Sequence, residues 1–324
     1  MKIHDVFEMF RDDLDRVEAW MGDALRSDVA LIPEIGRHLI GSGGKRFRPL
    51  LLLATASLYG VGEERRYPLS VVIEFIHTAT LLHDDVIDHA EMRRGKVSAN
   101  NIWGNAASVL VGDYLYSKAF KLMATHGHPQ IIQVLAETTM VMAEGEVFQL
   151  TKCGDVNLTE AEYLAIVEKK TSYLISAACA IGAMLGNAPQ EEVDVLARFG
   201  MNVGSAFQIV DDTLDYMAKE ETFGKAIGKD LDEGKLTLPL IQTLNLCDAG
   251  ERAEAAAIIS QTERDPRSMD RVLALIEDYD GIRYAMEKAQ SYIAASKAML
   301  EVFPPSAARS ALAAIADYVL ARKM

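Results

Sequence analysis

Apolar residues recur at three- and four-residue spacing along nearly the whole chain, and alternating runs are scarce. Phe7, Leu14, Val17 and Met21 form one such stripe, and Val195, Phe199, Val203, Phe207 and Val210 form another. The pattern breaks at glycine and proline clusters: Gly41 to Gly44, Gly60 to Gly62, Gly127 to Pro129, Gly186 to Pro189, and Gly224 to Gly234. Pro49 falls where a first helical turn begins, a place where a missing amide hydrogen costs nothing. No Pro/Ser-rich linker, low-complexity tract or change of pattern divides the 324 residues. They read as a single all-α domain of roughly a dozen helices.

Composition narrows the picture. Half of the residues are apolar, and 33 Lys and Arg against 47 Asp and Glu leave a formal net charge of −14. That balance fits a soluble chain with a large core and disfavours a nucleic-acid binder, which an acidic surface would repel. Met1 to Trp20 carries many Asp, Glu and Arg and no apolar stretch of signal-peptide type. The most apolar run, Tyr173 to Leu185, is shorter than the roughly 20 residues that span a bilayer and reads as a buried core helix. Cys153, Cys179 and Cys247 lack metal-type spacing and read as buried thiols in a reducing compartment, so a cytoplasmic protein is expected.

Two acidic clusters share one spelling. His83-Asp84-Asp85-Val86-Ile87-Asp88 ends an apolar helix expected to begin near Val71, and Asp211-Asp212-Thr213-Leu214-Asp215 lies within another. Residues four apart on a helix lie about 40° apart around its axis, so Asp84 and Asp88 share a face, as do Asp211 and Asp215. Like charges at that spacing repel. One such cluster is more often a solvated helix face. Two copies, each after an apolar run, imply something multiply positive between them. Oxygen ligands without a cysteine pair suit Mg²⁺, which binds through one or two carboxylates plus substrate phosphates.

Cations gather near these acids. Gly41 to Pro49 places Lys45, Arg46 and Arg48 in a glycine-rich turn before a helix, a plausible diphosphate cradle that is not a Walker loop. Arg93, Arg94 and Lys96 follow Asp88, Lys169 and Lys170 precede the apolar helix, and Lys225, Lys229 and Lys235 follow Asp215. His77 and His83 read by default as core histidines. Two acidic clusters, many cations and long apolar helices describe a site for phosphorylated substrates with apolar tails.

These residues resemble the trans-type polyprenyl diphosphate synthases. The likeness runs from about Gly41 to Leu240: G-G-K-R-x-R-P at Gly43 to Pro49, H-x-x-x-L-x-H-D-D-x-x-D at His77 to Asp88, M-R-R-G at Met92 to Gly95, and G-N-A-A-S-V-L-V-G-D at Gly104 to Asp113. It continues with E-G-E at Glu144 to Glu146, K-T at Lys170 and Thr171, F-Q-I-V-D-D-x-L-D at Phe207 to Asp215, and D-x-x-E-G-K at Asp230 to Lys235. The resemblance implies one domain over residues 1–324, a bundle of mostly antiparallel helices around a deep central cavity (the isoprenoid synthase fold), and a homodimer. It implies Mg²⁺ held by Asp84, Asp88 and Asp211 on an allylic diphosphate, with Asp85 and Asp215 assisting partly through water. Asp212 and Lys170 join these carboxylates as implied catalytic groups. Arg93, Lys170, Gln208, Lys225 and Lys235 are implied contacts of the allylic diphosphate, Lys45, Arg48, His77 and Arg94 of isopentenyl diphosphate, and Thr171 is a further implied substrate contact.

In short-chain relatives a bulky aromatic beneath the first acidic cluster closes the pocket. Here Ala79 and Thr80 are small, with Ile76 two turns below Asp84, so the tunnel is expected to continue. A long all-trans product is therefore expected, nearest to the octaprenyl type and suited to a quinone side chain. A shorter-chain synthase and a non-catalytic regulatory subunit are the alternatives. A terpene cyclase is disfavoured by the second D-D-x-x-D and by the Lys45 to Arg48 grip. No transmembrane segment is expected, although an insoluble product makes a peripheral membrane encounter plausible.

Overall fold

A computed structural model describes residues 1–41, 46–217, 228–261 and 266–322. The described chain is almost entirely helical. In chain order the helices begin with α1 (Ile3–Met9), α2 (Arg11–Ala24), α3 (Leu31–Ile40), α4 (Phe47–Ser57) and α5 (Glu63–Ile87). A short hairpin of β1 (Met92–Arg93) and β2 (Lys96–Val97) follows, then α6 (Ala99–Trp103), α7 (Asn105–His126), α8 (Pro129–Lys152) and α9 (Glu160–Val167). A π-helical turn, Glu168–Ser172, leads into α10 (Tyr173–Leu185) and α11 (Gln190–Met217). Beyond these come α12 (Lys229–Asp232), α13 (Leu238–Leu246), α14 (Ala249–Ile259), α15 (Pro266–Asp278), α16 (Gly281–Met299) and α17 (Ala307–Leu320).

The contacts group into two compact units that interleave along the chain. Unit 1 comprises Met1–Thr139, Leu174–Gly200 and Val302–Ile315; unit 2 comprises Met140–Tyr173, Met201–Glu301 and Ala316–Met324. In unit 1, α5 packs chiefly along α7 and also against α2 and α4. Its Leu69, Val71, Val72, Ile73, Phe75, Ile76, Ala79 and Leu82 are all buried, so no stripe faces water over that stretch. Leu50 to Leu53 make α4 equally apolar and buried. The run from Tyr173 to Leu185 is the expected core helix, with Leu174 and Ile175 buried and Gly182 against α4. A Cβ at Gly182 would stand 1.9 Å from Thr55 Oγ1 and 2.6 Å from the Leu52 carbonyl, which is why no side chain fits there. In unit 2, α13 packs on α9, α15 and α16, and α14 on α15. Capping boxes start α9 at Thr159 with Glu162 and α14 at Asp248 with Glu251.

Helix breaks fall at the expected glycine and proline clusters at Gly41, Gly60 to Gly62, Gly127 to Pro129 and Gly186 to Pro189. Several expectations need correction. Helix α5 begins at Glu63, not near Val71, and runs through Pro68. The N-terminal stripe is divided at Phe10 between α1 and α2, and Phe10 is itself buried. On α11 the buried face carries Val193, Leu196, Phe199, Val203, Ala206, Ile209 and Val210, whereas Val195 and Phe207 are only partly covered. Cys179 is buried, but Cys153 is exposed and Cys247 is intermediate. Cys153 follows the end of α8, in an exposed turn that Gly154 makes at φ +74°.

Candidate active site

In unit 1, α5 delivers the first acidic cluster at its C-terminal end. Asp88 caps the helix, and its amide donates to the Asp84 carbonyl at 2.8 Å, so the two carboxylates are one turn apart. Both are partly exposed, whereas Asp85 between them has no exposed surface. Arg93 Nε donates to Asp85 Oδ1 at 2.8 Å, and its Nη2 pairs with the same oxygen; Asp85 Oδ2 is buried with no hydrogen-bond partner. Asp85 is therefore turned toward Arg93. His83 packs against α7, stacked on Tyr116, with Nε2 3.2 Å from the Val109 carbonyl and 3.4 Å from Asp113. Gly112 allows this approach, since a Cβ there would stand 2.3 Å from the imidazole.

The hairpin after α5 was not expected. Register pairs Met92 with Val97 and Arg93 with Lys96, leaving Arg94 and Gly95 as a two-residue loop with φ of 52° and 77°. Two positive φ values at those positions make a type I′ turn, which fits the twist of paired strands. Strands of two residues are too short for alternation to reveal. His38 Nε2 lies 2.9 Å from the Val97 carbonyl, Lys96 Nζ donates to the Gly41 carbonyl at 3.1 Å, and Ser98 and Asn101 bind the Ala90 carbonyl, so the hairpin is pinned at both sides.

The cations expected to grip isopentenyl diphosphate are gathered where they can be seen. Burial, then Arg48, Arg94, Arg93 and Arg46, hold His77 well below its ordinary pKa, so it is a neutral imidazole at pH 7 within a cluster of guanidinium groups. Arg46 is the member that faces inward. It is 7% exposed, with Nε bound to Glu18 at 2.5 Å, Nη1 to Glu74 at 3.0 Å and Nη2 to the Ile40 carbonyl at 2.9 Å. Lys45 lies outside the described residues.

In unit 2 the π turn carries Lys169, Lys170 and Thr171. Glycines on two helices let it sit close to both: a Cβ at Gly145 would stand 2.7 Å from Lys169 Cβ, and one at Gly204 2.6 Å from Ser172 Cα. Glu144 pairs with Lys169 at 2.7 Å, Glu146 with Lys170 at 2.8 Å, and Gln149 also accepts from Lys170 at 2.9 Å. Thr171 donates to Gln208 Oε1 at 2.8 Å, Gln208 Nε2 to Asp212 Oδ1 at 2.7 Å, and the Tyr163 hydroxyl to Asp212 Oδ2 at 2.6 Å.

Asp212 is buried like Asp85, while Asp211 is exposed and Asp215 intermediate. Burial pushes the Asp212 carboxyl up to about 7 against the hydrogen bonds from Tyr163 and Gln208, and the charges of Asp211 and Asp215 add to the rise. Burial, with Asp212 and Asp215 nearby, likewise raises Asp230, whose amide donates to Asp215 Oδ2 at 3.0 Å. Lys235 pairs with Glu233 at 2.7 Å. Lys225 lies outside the described residues. Outside all of the motifs, Arg322 reaches Asp211 Oδ1 at 2.8 Å and lies 4.1 Å over the Phe207 ring. No local motif marks it in the sequence. Tyr163 and Glu74 went unnoticed for the same reason, being distant in sequence from what they bind.

The chain is similar along its whole length to known prenyl diphosphate synthases. The family model described as polyprenyl synthetase matches residues 29–276. The chain belongs to the polyprenyl synthetase family. It is 37% identical over 322 residues to the octaprenyl diphosphate synthase of Escherichia coli (strain K12), covering 99% of each. A crystal structure of a decaprenyl diphosphate synthase from Rhodobacter capsulatus superimposes with a TM-score of 0.94 at 39% identity, covering 99% of both chains. A polyprenyl synthase from Caulobacter crescentus CB15, solved in complex with calcium and isoprenyl diphosphate, gives 0.95 at 39% identity, covering 100% of this chain and 98% of that one. The expected all-α isoprenoid synthase fold and a prenyltransferase are therefore the right reading.

A family member with these donors is suited to a divalent cation. The available ligands are carboxylate oxygens, Asp85 Oδ2 is buried without a protein partner, and Asp212, Asp215 and Asp230 repel one another. Among the described residues no three His, Cys, Asp or Glu side chains form a ready-made cage. An ion held by one or two carboxylates together with substrate phosphates fits that arrangement.

Two predictions follow from these contacts. Arg93→Met leaves Asp85 buried and unpaired and costs about 3 kcal/mol of stability, whereas Arg94→Met, at an exposed position, costs less than about 1 kcal/mol. Urea denaturation of the two variants checks the difference. Asp212 has a folded-state pKa above its unfolded value, so the stability that its protonation adds is complete below about pH 4 and gone above about pH 7. The thermal midpoint of metal-free protein should fall as pH rises through that window. A divalent cation with inorganic pyrophosphate should flatten the slope, and calorimetry with and without both reads this.

Proposed function

We propose that this prenyltransferase condenses isopentenyl diphosphate with an allylic diphosphate to make a long all-trans polyprenyl diphosphate, nearest to the octaprenyl type and destined for a quinone side chain. The observation that carries the reading is the pairing, in unit 1, of a D-D-x-x-D helix end with Arg48, Arg93 and Arg94 grouped around a neutral His77. Residues 1–324 act as one domain in this reading.

Mg²⁺ is the ion we assign to Asp84, Asp88 and Asp211, and when bound it supplies charge stabilisation for the departing diphosphate. Asp85 and Asp212 hold the surrounding side chains, and Asp215 assists. Arg93, Lys170, Thr171, Gln208, Lys225 and Lys235 bind the allylic diphosphate, whose negative charge grows as its C–O bond breaks. Donors fixed in advance favour that state over the ground state. Lys45, Arg48, His77 and Arg94 hold isopentenyl diphosphate so that its double bond meets the allylic cation. The departing diphosphate takes the proton lost afterwards, so no side-chain base is required.

Product length depends in this reading on the space beneath Asp84. A narrow apolar cleft in unit 1, with no room for a water molecule as it stands, is lined by Val72, Ile76, Ala119, Phe120, Met123 and Leu135 among others. Of the three residues expected to set length, Ile76 lines it directly; Ala79 is buried beside it in sequence, and Thr80 bonds the His77 carbonyl at 2.8 Å. The floor is assigned to Phe120, Met123 and Leu135, where methionine can shift to admit a growing chain. A homodimer is supported by Val109, Leu110 and Phe120, large apolar side chains exposed on α7. Cytoplasmic placement fits a chain in which no described helix is long and apolar enough to cross a membrane; a peripheral encounter would release the product.

Incubation of the pure protein with labelled isopentenyl diphosphate, farnesyl diphosphate and Mg²⁺ should give a product ladder ending near eight isoprene units, abolished by a chelator. Products of three or four units would refute the open tunnel, and absence of elongation with every primer would favour a regulatory subunit. Ala79→Phe should shorten the product, and Ile76→Phe, which fills the cleft itself, at least as much. Unchanged chromatograms for both variants would sink the tunnel assignment.

A further inference from the structure

The Tyr163 hydroxyl lies outside every motif that marks this site, yet it ends a continuous chain of hydrogen bonds. It runs from Tyr163 on α9 to Asp212 and Gln208 on α11 and then to Thr171 in the π turn, with links of 2.6, 2.7 and 2.8 Å. Tyr163 is 3% exposed and Asp212 is 6% exposed, so little water is available to replace a lost partner. The chain fixes the sense of the Gln208 amide. Its oxygen accepts from the Thr171 hydroxyl and its nitrogen donates to Asp212 Oδ1, so the amide is held at both ends. Nε2 carries two hydrogens, and among the described residues only Asp212 accepts from it.

We propose that Tyr163 is a positioning residue for the allylic substrate: by holding one oxygen of Asp212, it keeps the other on Gln208 and so presents the second Gln208 N–H to the diphosphate. The proposal rests on the prenyl-transfer reading for the identity of that ligand. Its physical content is narrower, namely that Tyr163 acts on a diphosphate only through Asp212 and Gln208. Without the hydroxyl, Asp212 Oδ2 loses its donor and the carboxylate can rotate away from the amide. Gln208 is then free to present its oxygen, which repels a phosphate oxygen where the N–H attracts one. Because the chain is local to α9, the π turn and α11, the effect should be confined to the allylic ligand.

Tyr163→Phe removes one hydroxyl and keeps the ring. With isopentenyl diphosphate saturating, the KM for farnesyl diphosphate should rise about tenfold, whereas the KM for isopentenyl diphosphate should change less than about twofold. In a Gln208→Ala background the same change should move the farnesyl diphosphate KM less than about twofold, since the route of action is already gone. Equal factors in both backgrounds, or a common rise in both KM values, would overturn the proposal and mark Tyr163 as a residue that only fills space.

If the unmodified enzyme does not elongate any primer, the prenyl-transfer reading fails by itself. The same four proteins titrated with inorganic pyrophosphate and Mg²⁺ then decide the present proposal. Weakening by about tenfold in the native background alone supports it, and equal weakening or none overturns it. Should Tyr163→Phe not fold, as judged by its thermal midpoint, Asp212→Asn takes its place in the same cycle. Selective loss that vanishes with Gln208→Ala supports the chain of contacts, and any other outcome overturns it.

Discussion

The guanidinium of Arg93 set against the wholly buried carboxylate of Asp85 is the contact on which the first acidic cluster depends. A carboxylate taken out of water is tolerable only with a close partner, and two unit charges 4 Å apart attract by about 4 kcal/mol at an effective dielectric of 20. The hairpin between α5 and α6 follows from that requirement. Its type I′ turn brings Arg93 back over the helix end, and the same turn sets Arg94 beside it. Four arginines act on His77, and they would repel one another without carboxylates among them. Glu18 and Glu74 neutralise Arg46 from within, and Glu74 also acts on Arg94. The cationic cluster is thereby assembled before any ligand arrives, which is the condition for its donors to act without reorganisation.

Unit 2 answers the same problem with different partners. Asp212 is held by a hydroxyl and an amide, neither of which neutralises it, and Asp215 by a backbone amide. Hydrogen bonds of this kind fix direction while leaving the negative charge in place. Burial and mutual repulsion then raise the carboxyls of Asp212 and Asp230. A region built in this way gains most from a cation supplied from outside. Arg322, from near the chain's end, is set against Asp211 of the same motif.

Much of this was legible along the chain. The three- and four-residue periodicity, the glycine and proline breaks and the two D-D-x-x-D spellings gave the helical class and the acidic positions, and the ordered motifs gave the family. Partnership was not legible, because it is set by tertiary approach. Arg46 stands between two expected ligands and looks like a third, but Glu18 and Glu74, each 28 residues away, turn it inward. The start of α5 was obscured by Pro68, which normally argues against a helix interior. The hairpin escaped notice because two residues per strand cannot show a period, and its loop puts a non-glycine residue, Arg94, at positive φ.

The spelling E-G-E on α8 shows how a motif can encode packing and chemistry together. Glutamates at Glu144 and Glu146 meet Lys169 and Lys170, so one lysine pair is matched by one acid pair. Those contacts require the π turn to lie close against α8, and any Cβ at Gly145 would enter the space that Lys169 occupies. Gly204 sets the same limit from α11, where a Cβ would strike Ser172. A five-residue π turn is a costly conformation for a chain that could continue as an α-helix. Here two side-chain-free surfaces leave room for it, and its particular turn is what directs Lys170 to Glu146 while Thr171 meets Gln208. Glycine at these positions is thus required by the approach of neighbouring backbones. The lysine and threonine owe their directions to that approach rather than to their own spacing in the sequence.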